Sequence, residues 1–184
     1  MKQMIRDMQQ MLNELNKDKI VEQLDKIKLR TEDIEKELDR NLELFKQLEF
    51  EKKMDATIND ISQLKEKLDS LYKKTQDSKA NKNELLEEQN KINQEFSEIQ
   101  KELEELKSQN EELFNQLQLP DLSKLQKEIE SELKQSSDNL SKGRQSQAGK
   151  NQKSASEKME ELSSSLAQAM GEMEEESLAE DIEN

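Results

Sequence analysis

Apolar side chains recur at alternating intervals of four and three residues along two stretches of the chain. The positions of the first stretch, called here the N-terminal seam, are Ile20, Leu24, Ile27, Thr31, Ile34, Leu38, Asn41, Phe45 and Leu48. Those of the second seam are Leu85, Gln89, Ile92, Phe96, Ile99, Leu103, Leu106, Asn110, Leu113 and Leu117. Such heptad spacing is typical of a helix that buries one narrow face against a partner helix. The pattern therefore predicts an all-α, coiled-coil protein.

The polar segment 75–83, TQDSKANKN, separates the two seams. We interpret residues 76–83 as the tip of an antiparallel helical hairpin, with Asn83 capping the returning helix. The first arm is 18–75 and the returning arm is 84–141. Because the tip contains neither glycine nor proline, a continuous exposed helix stays open as an alternative.

The equal lengths of the two arms define a pairing between them. Folding about Ala80 places Phe45 opposite the region of Phe114, and Leu24 opposite Ser136. Pro120, the only proline, is predicted to kink the returning arm, because proline lacks the amide proton of the helical ladder and disfavours helix at the residue before it. A new helix is expected to begin near Asp121.

Further helices are predicted on both sides of the hairpin, which makes the predicted fold an elongated antiparallel hairpin with flanking helices. Residues 1–17 form a methionine-rich helix, and the polar residues 16–19 interrupt the seam before the first arm. Residues 142–153, KGRQSQAGKNQK, form a basic polar linker in which Gly143 ends a helix. Residues 154–184 form an acidic helix, opened by a capping box at 154–157.

Two asparagines fall on core positions of the seams. In a heptad labelled a to g, in which a and d are the core, Asn41 occupies a d position and Asn110 an a position. A polar residue in the seam lowers stability but penalises wrong registers and wrong oligomers. We therefore predict that these residues specify register.

Composition removes several classes of function. The chain has no cysteine and no histidine, which excludes thiolate catalysis, disulfides and cysteine-based zinc sites, and removes the usual general base. Carboxylate pairs such as Glu104 and Glu105 lack the enclosed pocket that catalysis requires. We predict no enzyme, no catalytic residues, no metal site and no cofactor.

Charge and hydropathy bear on whether the chain is folded and on whether it binds nucleic acid or inserts into a membrane. A net charge of -14 with 3% aromatic residues would also suit a disordered chain, but the sustained heptad spacing argues against disorder. A basic cluster at 142–153 without aromatic residues, in so acidic a chain, does not predict nucleic-acid binding. No run of about 18 apolar residues is present, so membrane insertion of this segment is not predicted.

Segments 15–20 (LNKDKI), 37–54 (ELDRNLELFKQLEFEKKM) and 150–170 (KNQKSASEKMEELSSSLAQAM) carry a family resemblance. The chain resembles the large, uncharacterised, membrane-anchored coiled-coil proteins of Bacteroidetes-type bacteria. The resemblance implies transmembrane helices upstream of this segment and a location at the cell envelope, and it supplies no catalytic residues. Independently of the resemblance, the chain starts and stops within helical sequence, so both ends are expected to be cuts in a longer protein.

The leading functional hypothesis is a structural or scaffolding segment that binds other helical protein segments, from further copies of itself or from another protein. One alternative is a holdase chaperone similar to prefoldin, whose hairpin tips grip unfolded clients, although the tip at 75–83 is polar. A second alternative is a parallel homodimeric rod.

Overall fold

The protein is built from α-helices. The computed structural model describes the backbone of residues 2–183, and the side chains of those residues except at 2, 4, 5, 7, 8, 11–16, 18 and 174–183. The described residues form α1 (Lys2–Thr75), α2 (Lys82–Glu111), α3 (Ser123–Ser141) and α4 (Gln145–Glu183). This confirms the predicted all-α class. The chain divides into two units, Met1–Lys46 and Gln47–Asn184, and the second unit is called here the bundle.

The first unit is the N-terminal part of α1. A helix boundary was expected at residues 16–19, but α1 passes through them without interruption, so the predicted separate helix 1–17 is wrong. The four polar residues interrupt the apolar seam, yet the backbone ladder continues because the segment contains no glycine or proline. The apolar residues of that methionine-rich segment lie outside the described side chains; they are Met1, Met4, Ile5, Met8, Met11, Leu12 and Leu15.

Within the bundle, α1 and α2 form an antiparallel hairpin, as the sequence predicts. Three ion pairs link the helices: Lys53 with Glu105, Lys67 with Glu95 at 2.7 Å, and Lys74 with Glu88 at 2.8 Å. The numbers rise along α1 as they fall along α2, which places the fold axis near Ala80. Since these pairs are largely exposed, they report the register of the hairpin more than they stabilise it.

The turn of the hairpin begins after Thr75, and α2 starts at Lys82, two residues before the predicted start at 84. Asn81, not Asn83, is the N-cap: its side-chain Oδ1 accepts a hydrogen bond from the Asn83 amide at 3.0 Å. Its Nδ2 also donates to Glu84 at 3.0 Å. Asparagine in extended conformation before the first helical turn satisfies an amide that has no partner within the helix.

The largest departure from the predicted hairpin follows α2. Helix α2 ends at Glu111, well before Pro120, and residues 112–122 form a loop after which α3 returns along α2. Pro120 therefore lies in a reversing loop, and the predicted kink in a continuing arm is wrong. Ser136 of α3 is buried and hydrogen-bonded to Gln89 at 2.7 Å. Its predicted pairing with Leu24 joins residues of different units and stays a prediction.

Helix α3 begins close to the predicted position. The Asp121 carboxylate accepts a hydrogen bond from the Ser123 amide at 3.0 Å, and hydrogen bonds from Ser123 lower the pKa of Asp121. An ionised acceptor before the first turn satisfies a free amide and interacts favourably with the helix dipole.

A tight connection joins α3 to α4. Gly143 has φ +67°; its amide donates to the Leu140 carbonyl at 2.9 Å, and the Arg144 amide donates to the Asn139 carbonyl at 2.7 Å. These are the two bonds of a Schellman motif, in which a glycine adopts the left-handed conformation just past the helix end. Helix α4 begins at Gln145, so only residues 142–144 connect the helices and the predicted linker 142–153 is wrong.

Alanine at Gly143 is expected to lower the free energy of unfolding by about 1–2 kcal/mol, because a β-carbon strains the left-handed conformation. Gly171 supplies the matched control: it lies inside α4, and a β-carbon there would meet nothing within 4 Å. Gly171→Ala should raise the free energy of unfolding by up to about 1 kcal/mol through helix propensity. Urea titration followed by circular dichroism measures both; destabilisation of equal size in the two variants would contradict the assignment.

The start of α4 is held close to α1. A β-carbon at Gly149 would lie 3.5 Å from Tyr72 Cε2 and 2.7 Å from Gln76 Nε2. Further along, Ser156 donates to Asp69, and Lys65 pairs with Glu160 at 3.0 Å. The predicted capping box at 154–157 therefore lies inside α4, nine residues past its start at Gln145, with Ala155 and Ser156 buried. The small residues predicted to open a helix form part of a packing face instead.

Within the bundle, each helix runs antiparallel to the next one along the chain. Asn139 bonds Asn151 at 3.0 Å, and Lys158 bonds Glu128, which fixes α3 and α4 in opposite directions. This up-down-up-down order with short connections is that of a four-helix bundle. Helix α1 contributes core positions at alternating intervals of four and three residues: Phe50, Met54, Thr57, Ile61, Leu64, Leu68, Leu71 and Thr75. Helix α4 contributes Met159, Leu162, Leu166 and Met173, all buried.

Candidate helix-docking surface

The N-terminal seam is exposed along its whole length. The relative exposure of its seven large apolar side chains, Ile20, Leu24, Ile27, Ile34, Leu38, Phe45 and Leu48, is 56–67%. Asn41 and Thr31 are exposed as well, and the Thr31 hydroxyl donates to the Ile27 carbonyl of its own helix at 2.9 Å. A regular row of solvent-exposed apolar side chains is a feature of interaction sites.

More apolar side chains flank the seam. Val21, Leu42 and Leu44 are 48%, 54% and 55% exposed, and they occupy heptad positions e, e and g beside the core. They widen the apolar face, most of all around Phe45. The heptad spacing predicted only the narrow seam. These three residues were not predicted as part of the surface, although their heptad positions follow directly from the spacing of the seam.

The seam ends sharply at Leu48. Its four-three spacing, continued toward the C-terminus, would reach only polar residues: Lys52, Asp55, Asn59, Ser62, Glu66 and Asp69. The core positions of α1 in the bundle begin at Phe50 in a different phase. Helix α1 therefore carries two separate apolar rows, one buried within this chain and one exposed.

The second seam lies in the bundle. Its apolar members Leu85, Ile92, Phe96, Ile99, Leu103, Leu106 and Leu113 are buried, and Leu117 is half-buried. Leu113 and Leu117 belong to the loop after α2 and not to a helix. The pairing of Phe45 with Phe114 joins residues of different units and stays a prediction.

Asn110 holds the loop in place. Its Nδ2 donates to the Leu117 carbonyl at 2.9 Å, and its Oδ1 accepts from the Leu117 amide at 2.8 Å. The side-chain amide of Asn110 thus bonds both backbone groups of Leu117, as a neighbouring peptide group would, and closes the loop where α2 ends. Sequence reasoning assigned Asn110 to register within a continuing coil; the structure gives it a different contact, at the point where the chain reverses.

A buried polar layer crosses the bundle at Gln89. Its Oε1 accepts from Ser136 Oγ of α3 at 2.7 Å and from Gln152 Nε2 of α4 at 3.0 Å, and its Nε2 donates to Asn93 at 2.9 Å. Gln89, Ser136 and Gln152 are each 0% exposed. Hydrogen bonds between buried polar groups fix one alignment of three helices, because any slip would leave them unpaired. The signal in the sequence was a glutamine on a core position of the second seam.

The other concave regions of the described structure show no metal-binding cluster. A cavity of about 510 Å³ lies below the 112–122 loop, with Phe50, Met54, Leu103 and Leu166 in its wall. Between α1 and α2, burial and the nearby Asp60 raise the pKa of Glu102. Within the described residues, no group of three or more carboxylates is placed to hold a metal ion. Nor does any helix among them have the length and apolar character needed to cross a membrane.

No protein family, no curated protein and no solved structure matches the chain. The resemblance to membrane-anchored coiled-coil proteins therefore stays a prediction.

Proposed function

We propose that the chain is a non-enzymatic scaffolding segment, in which a four-helix bundle is joined to a helix that docks other helical segments through the N-terminal seam. The observation that carries the proposal is the exposure, at 56–67%, of every large apolar side chain on the seam. A location at the cell envelope is part of the proposal and rests on the sequence resemblance alone.

Burial of the exposed seam would supply the free energy of docking. Long amphipathic helices owe most of their stability to packing of the apolar face, and an isolated helix gains little from intrinsic propensity. Complete burial of the seven apolar side chains would contribute on the order of 10 kcal/mol before the entropy of association is subtracted. A helical partner with matching heptad spacing would bury them, because its side chains fit between those of the seam.

A photoreactive amino acid at Leu38 tests the proposal in cells. The covalent adducts are expected to map, by mass spectrometry, to a helical segment of an identified protein. The matched control is the same amino acid at Leu29, which is similarly exposed but lies off the seam at position f. Adducts from Leu38 alone support helix docking; equal adducts from both positions, or none from either, contradict it.

The holdase alternative also draws on the exposed seam, since unfolded clients bind apolar surface. Suppression of light scattering by an aggregating client protein, lost in Leu38→Asp but kept in Leu29→Asp, would favour the holdase. No suppression by the intact chain leaves the scaffold proposal.

A further inference from the structure

We propose that the N-terminal seam binds further copies of this chain, in a parallel and in-register coiled coil of three or four helices. The inference rests on the proposed docking function and names the partner. It depends on the residue types at the core positions, on the charges beside them and on the exposure of the face.

The core residue types favour more than two helices. The a positions include Leu24 and Leu38, while the d positions include Ile20, Ile27 and Ile34. Leucine at a with isoleucine at d favours trimers and tetramers. In a two-stranded coil the d side chain points straight toward the partner, where a β-branched residue packs poorly in its preferred rotamer.

The width of the exposed apolar face also favours an assembly of three or four helices. Val21 and Leu42 at e and Leu44 at g are about half exposed, directly beside the core. Positions e and g are largely solvated in a two-stranded coil, whereas an added helix covers more of the face around the seam. A three- or four-helix assembly would bury these side chains as well.

The charges beside the seam are compatible with a parallel arrangement. In parallel, in-register helices, each g residue faces the e residue five positions later on its neighbour. Arg30 then faces Glu35, an attractive pair that recurs at every interface. The remaining pairs, Gln23 with Lys28, Glu37 with Leu42 and Leu44 with Glu49, contain no like charges.

The polar core residues and the charges beside the core together disfavour an antiparallel arrangement of the copies. In parallel register, Asn41 meets Asn41 of the neighbouring copies, and Thr31 meets Thr31. Two antiparallel alignments retain the most core layers. One places Glu35 against Glu35 and Glu37 against Glu37, which is repulsive. The other attracts Lys28 to Glu35 and Arg30 to Glu37, but it sets Asn41 against Leu24, which leaves a buried amide without a partner.

Sedimentation equilibrium of the intact chain tests the number of copies. The expected mass is three to four times that of the monomer, falling to the monomer mass in Leu38→Asp. Leu29→Asp introduces the same charge off the seam, from a side chain that is similarly exposed in the single chain, and should keep the assembly. Tyr72 fluorescence during urea unfolding verifies that the bundle, which excludes both positions, remains folded.

Orientation is tested by disulfide formation, since the chain has no cysteine of its own. Oxidised Leu24→Cys should give covalent dimers in parallel register, and Leu29→Cys should not. A monomer at all concentrations, a dimer as the limiting mass, or dissociation in both aspartate variants would overturn the proposal, as would cross-linking of Leu29→Cys alone. Adducts from Leu38 to a different protein, with a monomeric purified chain, would overturn self-association while leaving helix docking intact.

Discussion

Alanine at Phe50 is expected to lower the free energy of unfolding of the bundle by about 3–5 kcal/mol, the usual cost of removing a buried phenylalanine. The side chain is 1% exposed and lies at the first core position of α1 within the bundle. Deleting the ring removes its contacts and enlarges the cavity below the 112–122 loop, whose wall it forms.

Phe45 provides the control on the same helix. It is 56% exposed, so Phe45→Ala in the dilute chain should change the free energy of unfolding by less than about 0.5 kcal/mol. Tyr72, the only tyrosine in a chain without tryptophan, reports bundle unfolding in a urea titration. If Phe45→Ala and Phe50→Ala lowered the free energy of unfolding equally, the edge of the bundle would not lie between these two residues.

Leucine at Gln89 is expected to cost about 1–3 kcal/mol, because it leaves the buried Gln152 Nε2 without an acceptor and leaves Ser136 Oγ with only the Ala148 carbonyl, at 3.5 Å. The expected loss is therefore larger than the small volume change would suggest. Thermal and urea unfolding of the single variant measure it.

The matched variant combines Gln89→Leu with Ser136→Ala and Gln152→Leu. Because all three polar groups are replaced together, no donor is left without an acceptor, and stability should return to within about 1 kcal/mol of the original chain. A triple variant no more stable than the single one would show that the layer does not act as a hydrogen-bonded unit.

Periodicity predicted the helical class, the turn near Ala80 and the core residues of α2, because each depends on local spacing. It did not predict the reversal after Glu111. Leu113 and Leu117 continue the heptad spacing by number, yet they lie in a loop that Asn110 closes with two hydrogen bonds to Leu117. The spacing of apolar residues carries no information about a polar side chain that hydrogen-bonds the backbone seven residues away.

Small residues explain the second error. Gly149, Ala155 and Ser156 suggested a linker and a helix start. Gly149 and Ser156 instead lie on the face of α4 that approaches α1, and Ala155 is buried. Composition alone does not distinguish a flexible segment from a close helix contact. For the docking surface, the sequence predicted the seam positions; their exposure became evident only once the bundle was seen to use a different row of α1.

The reversal at the 112–122 loop also affects how the bundle folds. Because α3 returns along α2, most helix contacts join neighbours in sequence, a low contact order that favours folding within microseconds to milliseconds. The contact between α1 and α4 is the exception, since Asp69 and Ser156 are 87 residues apart. Closing that long loop carries the largest entropy cost, so α4 is expected to dock onto α1 last. Opening of this pair would then be the first step by which the native bundle unfolds.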